Sequence, residues 1–297
     1  MERGVLVVGE ALVDVVHARD GSVTEHPGGS AANVAVALAR LGTPVRLATS
    51  FADDGHGRLI AEHLRAAGVD LASDPHVVDR TSTAVARLGA GGSAEYEFDL
   101  DWRLGPPSGD RLPAVVHVCS LGAVLSPGAE AVRALAGRVP AGGLVSYDVN
   151  ARPAVTGTGP DLLRQVETMA GLADLVKASD EDLAVLYPGL GMEEAARALL
   201  DVGAQAVAVT CGEQGAAWFG GVTVRVPSHR VRVVDTIGAG DTFAAALIDS
   251  LLRRDRIEDL AGLDERVATA VLTDAVRAAA ITVSRAGADP PYRSELA

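Results

Sequence analysis

The sequence has almost no lysine: of its 26 basic side chains only Lys177 is not an arginine. That absence excludes a Walker-type GxxxxGK[ST] loop, so any phosphate has to be held in another way. Aromatic residues make up 3% of the chain, and a core must therefore rest on Ala, Val and Leu. The two cysteines, Cys119 and Cys211, lie within or at the end of the apolar runs VVHVC and AVAVTC. They read as buried free thiols in strands, which suits a reducing compartment. No uninterrupted apolar run approaches membrane-spanning length. The opening MERGVLVVGE reads as a first strand and not a signal peptide, so a cytoplasmic protein is expected. A formal net charge of −13 counts against nucleic acid and anionic membranes as partners.

What the sequence does contain is alternation. Its 297 residues, 48% of them hydrophobic, suffice for one α/β domain spanning 1–297. Short apolar runs at 5–9, 45–49, 115–119, 144–148, 174–178 and 206–210 read as buried strands. Helix-period segments intervene, at 30–41 and in HGRLIAEHLRAAG and GPDLLRQVETMAGLAD. The pattern predicts a mostly parallel sheet covered by helices. Two stretches break it, at about 12–27 and 80–102, where strands meet turns with no helix between them. They predict a small β-structure beside the main sheet, serving as a lid. Ligands of open parallel sheets gather at the carboxyl ends of the strands. Glu10, Asp14, Asp53, Asp54, Ser120, Asp148, Asn150, Ser179 and Thr210 are the polar residues that follow strands here.

The most informative stretch is VRVVDTIGAGDTF, 231–243. A strand VRVV is expected to run into a turn of Gly238, Ala239 and Gly240, with a helix beginning at about Asp241. Free N–H groups at such a start bind anions without any lysine. Asp241 could be an ordinary helix cap, since a carboxylate complements the helix dipole. It could also take the proton of an attacking hydroxyl while the amides stabilise a transferred phosphoryl group. A second motif, HPGGSAANVAVALARLG, places Gly28 and Gly29 before a helix that carries Asn33, a donor and acceptor for hydroxyls. The first strand is not followed by GxGxxG, which counts against a dinucleotide-dependent oxidoreductase.

Together these stretches resemble the ribokinase-like (PfkB) carbohydrate kinases. The resemblance also covers GEALVD, YDVNARP, VKASDEDLAVL, VTCGEQGAAWF and AAAITVSRAGADPP, all in order. It implies a three-layer α/β fold with a mostly parallel central sheet and a small β-sheet lid. It further implies an enzyme that uses ATP and Mg²⁺, with K⁺ as a second ion. Asp241 matches the catalytic base, with Gly238, Ala239 and Gly240 as the anion hole. Asp14, Gly28, Gly29 and Asn33 match the sugar-holding positions. Lys177, Ser179, Thr210, Gly212 and Gly215 match nucleotide contacts, and Asp235, Ile237, Thr282 and Gly287 a monovalent-cation site. One departure is clear: the family's Asn-x-x-Glu is here Ser179-Asp180-Glu181-Asp182. Acids at a helix start are usually solvated, which leaves the role of Asp182 open.

The substrate expected is a free monosaccharide. YDVNARP and the ending SRAGADPPYRSEL resemble fructokinases, so fructose leads, with 2-keto-3-deoxygluconate and ribose as alternatives. A phosphorylated sugar would need clustered basic groups, and Arg87, Arg103 and Arg152 form no cluster in the sequence. Arg152 could equally form an ion pair with Asp148 or its surroundings. Tyr96, Phe98 and Trp102 could stack a nucleoside base or merely pack the lid. A catalytically silent sugar sensor on the same fold is the alternative outside enzymes. A homodimer through the lid is a further expectation.

Overall fold

The central strands of the main sheet are short, largely apolar runs that are buried on both faces. In this computed structural model, residues 4–18, 20–88, 94–106 and 112–296 are described. Among them lie the strands β1 Val5–Val8, β2 Leu12–His17, β3 Val23–Gly28, β4 Val45–Ala48, β5 Asp70–Leu71, β6 Thr83–Leu88 and β7 Ala94–Asp99. They continue with β8 Val115–Cys119, β9 Leu144–Asp148, β10 Leu175–Ser179, β11 Ala206–Thr210, β12 Ala216–Phe219 and β13 Thr223–Val226. The helices are α1 Ser30–Arg40, α2 Gly55–Ala66, α3 Leu121–Val124, α4 Gly128–Ala136 and α5 Pro153–Thr156. They continue with α6 Pro160–Ala170, α7 Asp180–Leu186, α8 Met192–Asp201, α9 Ala239–Arg253 and α10 Glu265–Val283.

Nine strands form the main sheet in the order β13-β12-β11-β10-β9-β8-β1-β4-β5. The six anticipated strands are its parallel centre, adjacent in the order β11-β10-β9-β8-β1-β4. The antiparallel hairpin β12–β13 extends one edge and has no counterpart in the expected pattern. Helices α1, α2, α9 and α10 cover one face, with Val7, Val115, Leu175 and Phe243 in that core. Helices α4, α6, α7 and α8 cover the other, around Val8, Val118, Tyr147 and Met169. Each fully buried Val or Leu is worth about 1.5–3 kcal/mol relative to exposure. Alternate residues of one strand serve opposite cores, which is why these runs are mostly apolar.

The two stretches that broke the rhythm form a separate four-stranded sheet, β3-β2-β6-β7. Each half is an antiparallel hairpin, and the halves join through a parallel β2–β6 pairing. The Gly-rich turn 89–93, part of the loop 103–113 and the side chain of Tyr96 lie outside the described residues. Only Gly9, Glu10 and Ala11 separate β1 from β2, so the small sheet rises directly from the carboxyl edge of the main one.

Three expectations need correction. Residues 231–234 form no strand: Val231, Val233 and Val234 are 40–56% exposed, and Val234 N–H donates to the carbonyl of Val283 at 2.8 Å. With no neighbouring strand to bond, the segment is tied to the end of α10 instead of to a sheet. Helix α9 starts at Ala239, two residues before the expected point, because Gly238 adopts a left-handed φ of 74° and closes the turn early. Cys119 is buried in β8 as expected, but Cys211 lies past the end of β11 and is only half-buried.

Candidate active site

The two glycine motifs meet. Helix α1 packs along α9, and Ser30 and Asn33 on its first turns reach Asp241 on the first turn of the other. Ser30 Oγ donates to one Asp241 oxygen at 2.7 Å, and Asn33 Nδ2 donates to the other at 2.8 Å. Asp241 is 7% exposed, so its orientation is fixed by these two bonds and by the helix start. A carboxylate oxygen accepts two hydrogen bonds, and a substrate hydroxyl can therefore donate to Asp241 beside them. Ala239 N–H turns back to Thr236 O at 3.3 Å, and the amides of Gly240 and Asp241 belong to the first helical turn, which has no intrahelical acceptor.

Positive charge reaches this turn from a strand distant in sequence. Lys177, on β10, is 4% exposed and its Nζ donates to Asp148 Oδ2 at 3.0 Å. A Cβ on Gly240 would lie 3.0 Å from the same Nζ, so glycine there lets the ammonium sit against the helix start. Burial alone would pull the proton off Lys177, but the carboxylates of Asp148, Asp182 and Asp241 outweigh it and raise its pKa above the ordinary lysine value. From Asp235 to Asp241 the sequence has no basic residue; the fold supplies one through β10.

Glycine is required at Gly28 and Gly29 for close approach. A Cβ on Gly28 would meet Asp14 Oδ2 at 2.3 Å, and one on Gly29, whose φ is 97°, would meet Glu10 O at 2.6 Å. The Asp14 carboxylate on β2 and the Glu10 backbone after β1 thus stand directly against the two glycines. Burial raises the Asp14 carboxyl above its ordinary range, against the pull of His26 and Arg152. Glu10 is pushed up to about 7 by burial, with Asp241 adding to the rise and the Gly122 amide and Arg152 opposing it. Glu10 Oε2 accepts from Gly122 N–H at 2.9 Å. Ser120 and Asn150, beyond β8 and β9, hold left-handed φ angles of 50° and 38°, strained for non-glycine residues and found at the carboxyl edge.

The remaining candidates separate into neighbours of this site and supports. Ser179 and Thr210 stand side by side at the ends of β10 and β11. Gly212 and Gly215, with φ of 51° and 95°, bracket a short 3₁₀ turn, and a Cβ on Gly215 would meet Val226 O at 2.0 Å. Asp235 accepts from Ile237 N–H at 3.0 Å and Gly287 N–H at 2.9 Å. Thr282 does not join them with its side chain, since its hydroxyl is buried and donates to Thr242 at 2.9 Å. Asp182 is buried, unlike a solvated acid: one oxygen accepts from Ser179 N–H and the other from Ala151 N–H, both at 2.8 Å. Asp54 caps α2 and holds Thr81, while Asp53 pairs with Arg58 on the surface.

Arg152 makes no ion pair among the described residues and donates to the carbonyls of Asn150 and Ala151. Asp148 takes Lys177 instead, so the Arg152–Asp148 pairing is not formed. Arg87 pairs with Glu97 and Arg103 with Asp101. Trp102 is 4% exposed and donates to Gly122 O at 3.1 Å, which puts it in the core and away from a stacking position. Sequence reasoning missed Ser30, whose only signal was its place between the glycine pair and Asn33.

The family model described as pfkB family carbohydrate kinase matches residues 2–295. A fructokinase of Rhizobium leguminosarum bv. trifolii is 36% identical over 280 residues, 88% of this chain and 84% of its own. The crystal structure of aminoimidazole riboside kinase from Salmonella enterica, complexed with aminoimidazole riboside and an ATP analog, superposes with a TM-score of 0.81 at 28% identity. It covers 99% of this chain and 98% of that one. A Vibrio cholerae O395 fructokinase double mutant, in a fructose, ADP and potassium ion bound form, gives a TM-score of 0.79 at 29% identity, over 99% and 97%. The chain belongs to the pfkB family of carbohydrate kinases.

Proposed function

We propose that this kinase transfers the γ-phosphoryl group of ATP to a hydroxyl of a free monosaccharide, fructose first. The observation that carries the reading is Asp241, held by Ser30 and Asn33 at a helix start beside the Lys177 ammonium. In this reading the sugar lies between Asp14, Asn33 and Asp241, with the small sheet closing over it as a lid within a single domain. The triphosphate lies along the Gly212–Gly215 turn, Ser179 and Thr210, and ends at Gly238, Ala239 and Gly240. Asp241 accepts the proton of the attacking hydroxyl. The amides of Gly240 and Asp241, with Lys177, bear the charge of the transferred group.

Asp148 Oδ1 is buried without a hydrogen-bond partner, which suits it to face Mg²⁺ or its water shell; bound there, the ion would neutralise phosphate charge. Among the described residues no three acidic, His or Cys side chains cluster as a metal cage. Asp235, Ile237 and Gly287 would hold K⁺ where their two loops are clasped together, with the potassium-bound Vibrio relative as support. The edge strands β3 and β7 leave the small sheet open to pairing, and a homodimer through it belongs to the same proposal.

Fructose is favoured because the local basic side chains are engaged or unclustered, and because of the fructokinases among the relatives. A riboside is the second reading, supported by the aminoimidazole riboside kinase, although Trp102 offers it no stacking face. The test is ADP release with ATP, Mg²⁺ and K⁺ across fructose, ribose, 2-keto-3-deoxygluconate, adenosine, aminoimidazole riboside and fructose 6-phosphate. Fructose should give the highest kcat/KM. Turnover led by another sugar replaces the substrate and keeps the mechanism; silence on the whole panel rejects the reading in favour of a sensor.

A further inference from the structure

Helix α1 grips the anion turn from two sides. Its first residues hold Asp241, as described; its last, Arg40, lies ten residues on, about 15 Å away along the axis at 1.5 Å per residue. The Arg40 guanidinium donates to Asp289 and, at 2.6 Å, to the carbonyl of Pro290, and it stacks over the Tyr292 ring at 5.0 Å. The residues just before these touch the anion turn from behind. Gly287 N–H donates to Asp235 at 2.9 Å, and Ala288 packs so closely under Gly238 that a Cβ there would lie 2.6 Å from the Ala288 Cβ. The turn 235–241 is thus held in front by one end of α1, and behind by a segment fastened to its other end.

The fastening is partly buried and reinforced. The Arg40 side chain is 20% exposed, and Asp289 also accepts from Arg285 at 3.4 Å. Further along, Arg293 donates to Leu41 O at 2.9 Å and to both oxygens of Asp249 on α9. Thr43 and Arg253 donate to Asp249 as well. This second clamp keeps the end of the chain in place whether or not Arg40 is present. Removing Arg40 alone should therefore release 287–290 locally and leave the fold standing.

We propose that Arg40 and Asp289 are positioning residues for phosphoryl transfer, setting the height of Gly287 and Ala288 beneath the anion turn. The inference rests on the kinase reading above. Gly238, in its left-handed conformation, rests directly on Ala288, the residue an added Cβ there would meet first. A displacement of about 1 Å at a reacting group can cost up to about 100-fold in rate.

The test uses the full chain with Arg40→Met, Arg40→Lys and Asp289→Asn. Calorimetry gives the ATP affinity, steady-state kinetics give kcat and sugar KM, and thermal melts check folding. Arg40→Met should weaken ATP about fivefold and lower kcat about tenfold, with sugar KM within about twofold. Arg40→Lys should recover part of this, since lysine keeps the charge for Asp289 but cannot fork to Pro290. Asp289→Asn should match Arg40→Met, and the double variant should be no worse than either. Folded variants with unchanged ATP affinity and kcat overturn the proposal, and so does a parallel loss of ATP affinity, sugar affinity and thermal stability. Should Arg40→Met fail to fold, Arg40→Lys is judged by the same criteria. A wild-type chain that binds ATP but phosphorylates no sugar overturns the kinase reading, and ATP affinity still decides the role of Arg40. One that binds no ATP overturns both.

Discussion

In the main sheet every residue of β1, β8 and β9 is buried, whereas in β3 of the small sheet the first four of six residues are exposed. The difference separates two kinds of candidate site residue. Lys177 and Asp148 stand on strands packed on both faces, so their geometry is fixed by close-packed neighbours. Asp14 stands on a strand covered on fewer sides, in a sheet attached to the main one through Gly9, Glu10 and Ala11. A group that must aim at a transferred phosphoryl benefits from the first kind of support. A group that must admit and enclose a sugar benefits from the second.

The sharpest way to break this contrast is to neutralise one carboxylate from each side. Asp241→Asn should lower kcat by about 10²–10⁴-fold while sugar binding persists. Asp14→Asn should raise sugar KM by about 10-fold or more and leave ATP affinity unchanged. Turnover near wild type in the first, or a loss confined to kcat in the second, would erase the division of roles.

Lys177→Met tests the rigid side again, with an expected fall in kcat of about 100-fold. It also strands the buried Asp148 carboxylate, at about 3–5 kcal/mol of stability. Denaturant melts and turnover read the two effects separately, and a stability loss with unchanged kcat would confine Lys177 to its ion pair.

The smallest effect concerns Glu10 at the junction of the sheets. Its carboxyl pKa is raised from 4.5 to about 7, so between those values the folded chain keeps a proton that the unfolded chain has lost. Stability falls as pH rises through that window, and the cost is complete above it, at most about 3 kcal/mol. Glu10→Gln should therefore raise the unfolding free energy at pH 8 and change it little at pH 4.5. An equal shift at both would show that burial of charge is not the cause.

Legibility followed the same division. The six buried strands could be read because two-sided burial demands mostly apolar residues on both sides of the strand, a local signal. The strand expected at 231–234 looked the same on paper, yet it has no sheet neighbour and its valines are exposed. The hairpin β12–β13 was missed because TVRV, at the sheet edge, alternates exposed and buried residues and presents no apolar run to pair with AAWF. The role of Asp182 stayed open because acids at a helix start are usually solvated; what engages it is Ala151, supplied by another strand's end.

By itself the sequence determined the six strands of the parallel centre, and that a turn of Gly238, Ala239 and Gly240 would lead into a helix with Asp241 on its first turn. These follow from side-chain size, periodicity and backbone freedom within a few residues. Only the tertiary structure decided that Ser30, 211 positions away, would bond Asp241, and that the one lysine would lie against Gly240. Such meetings depend on which strands become neighbours and how two helices pack, and no local stretch of chain carries that information.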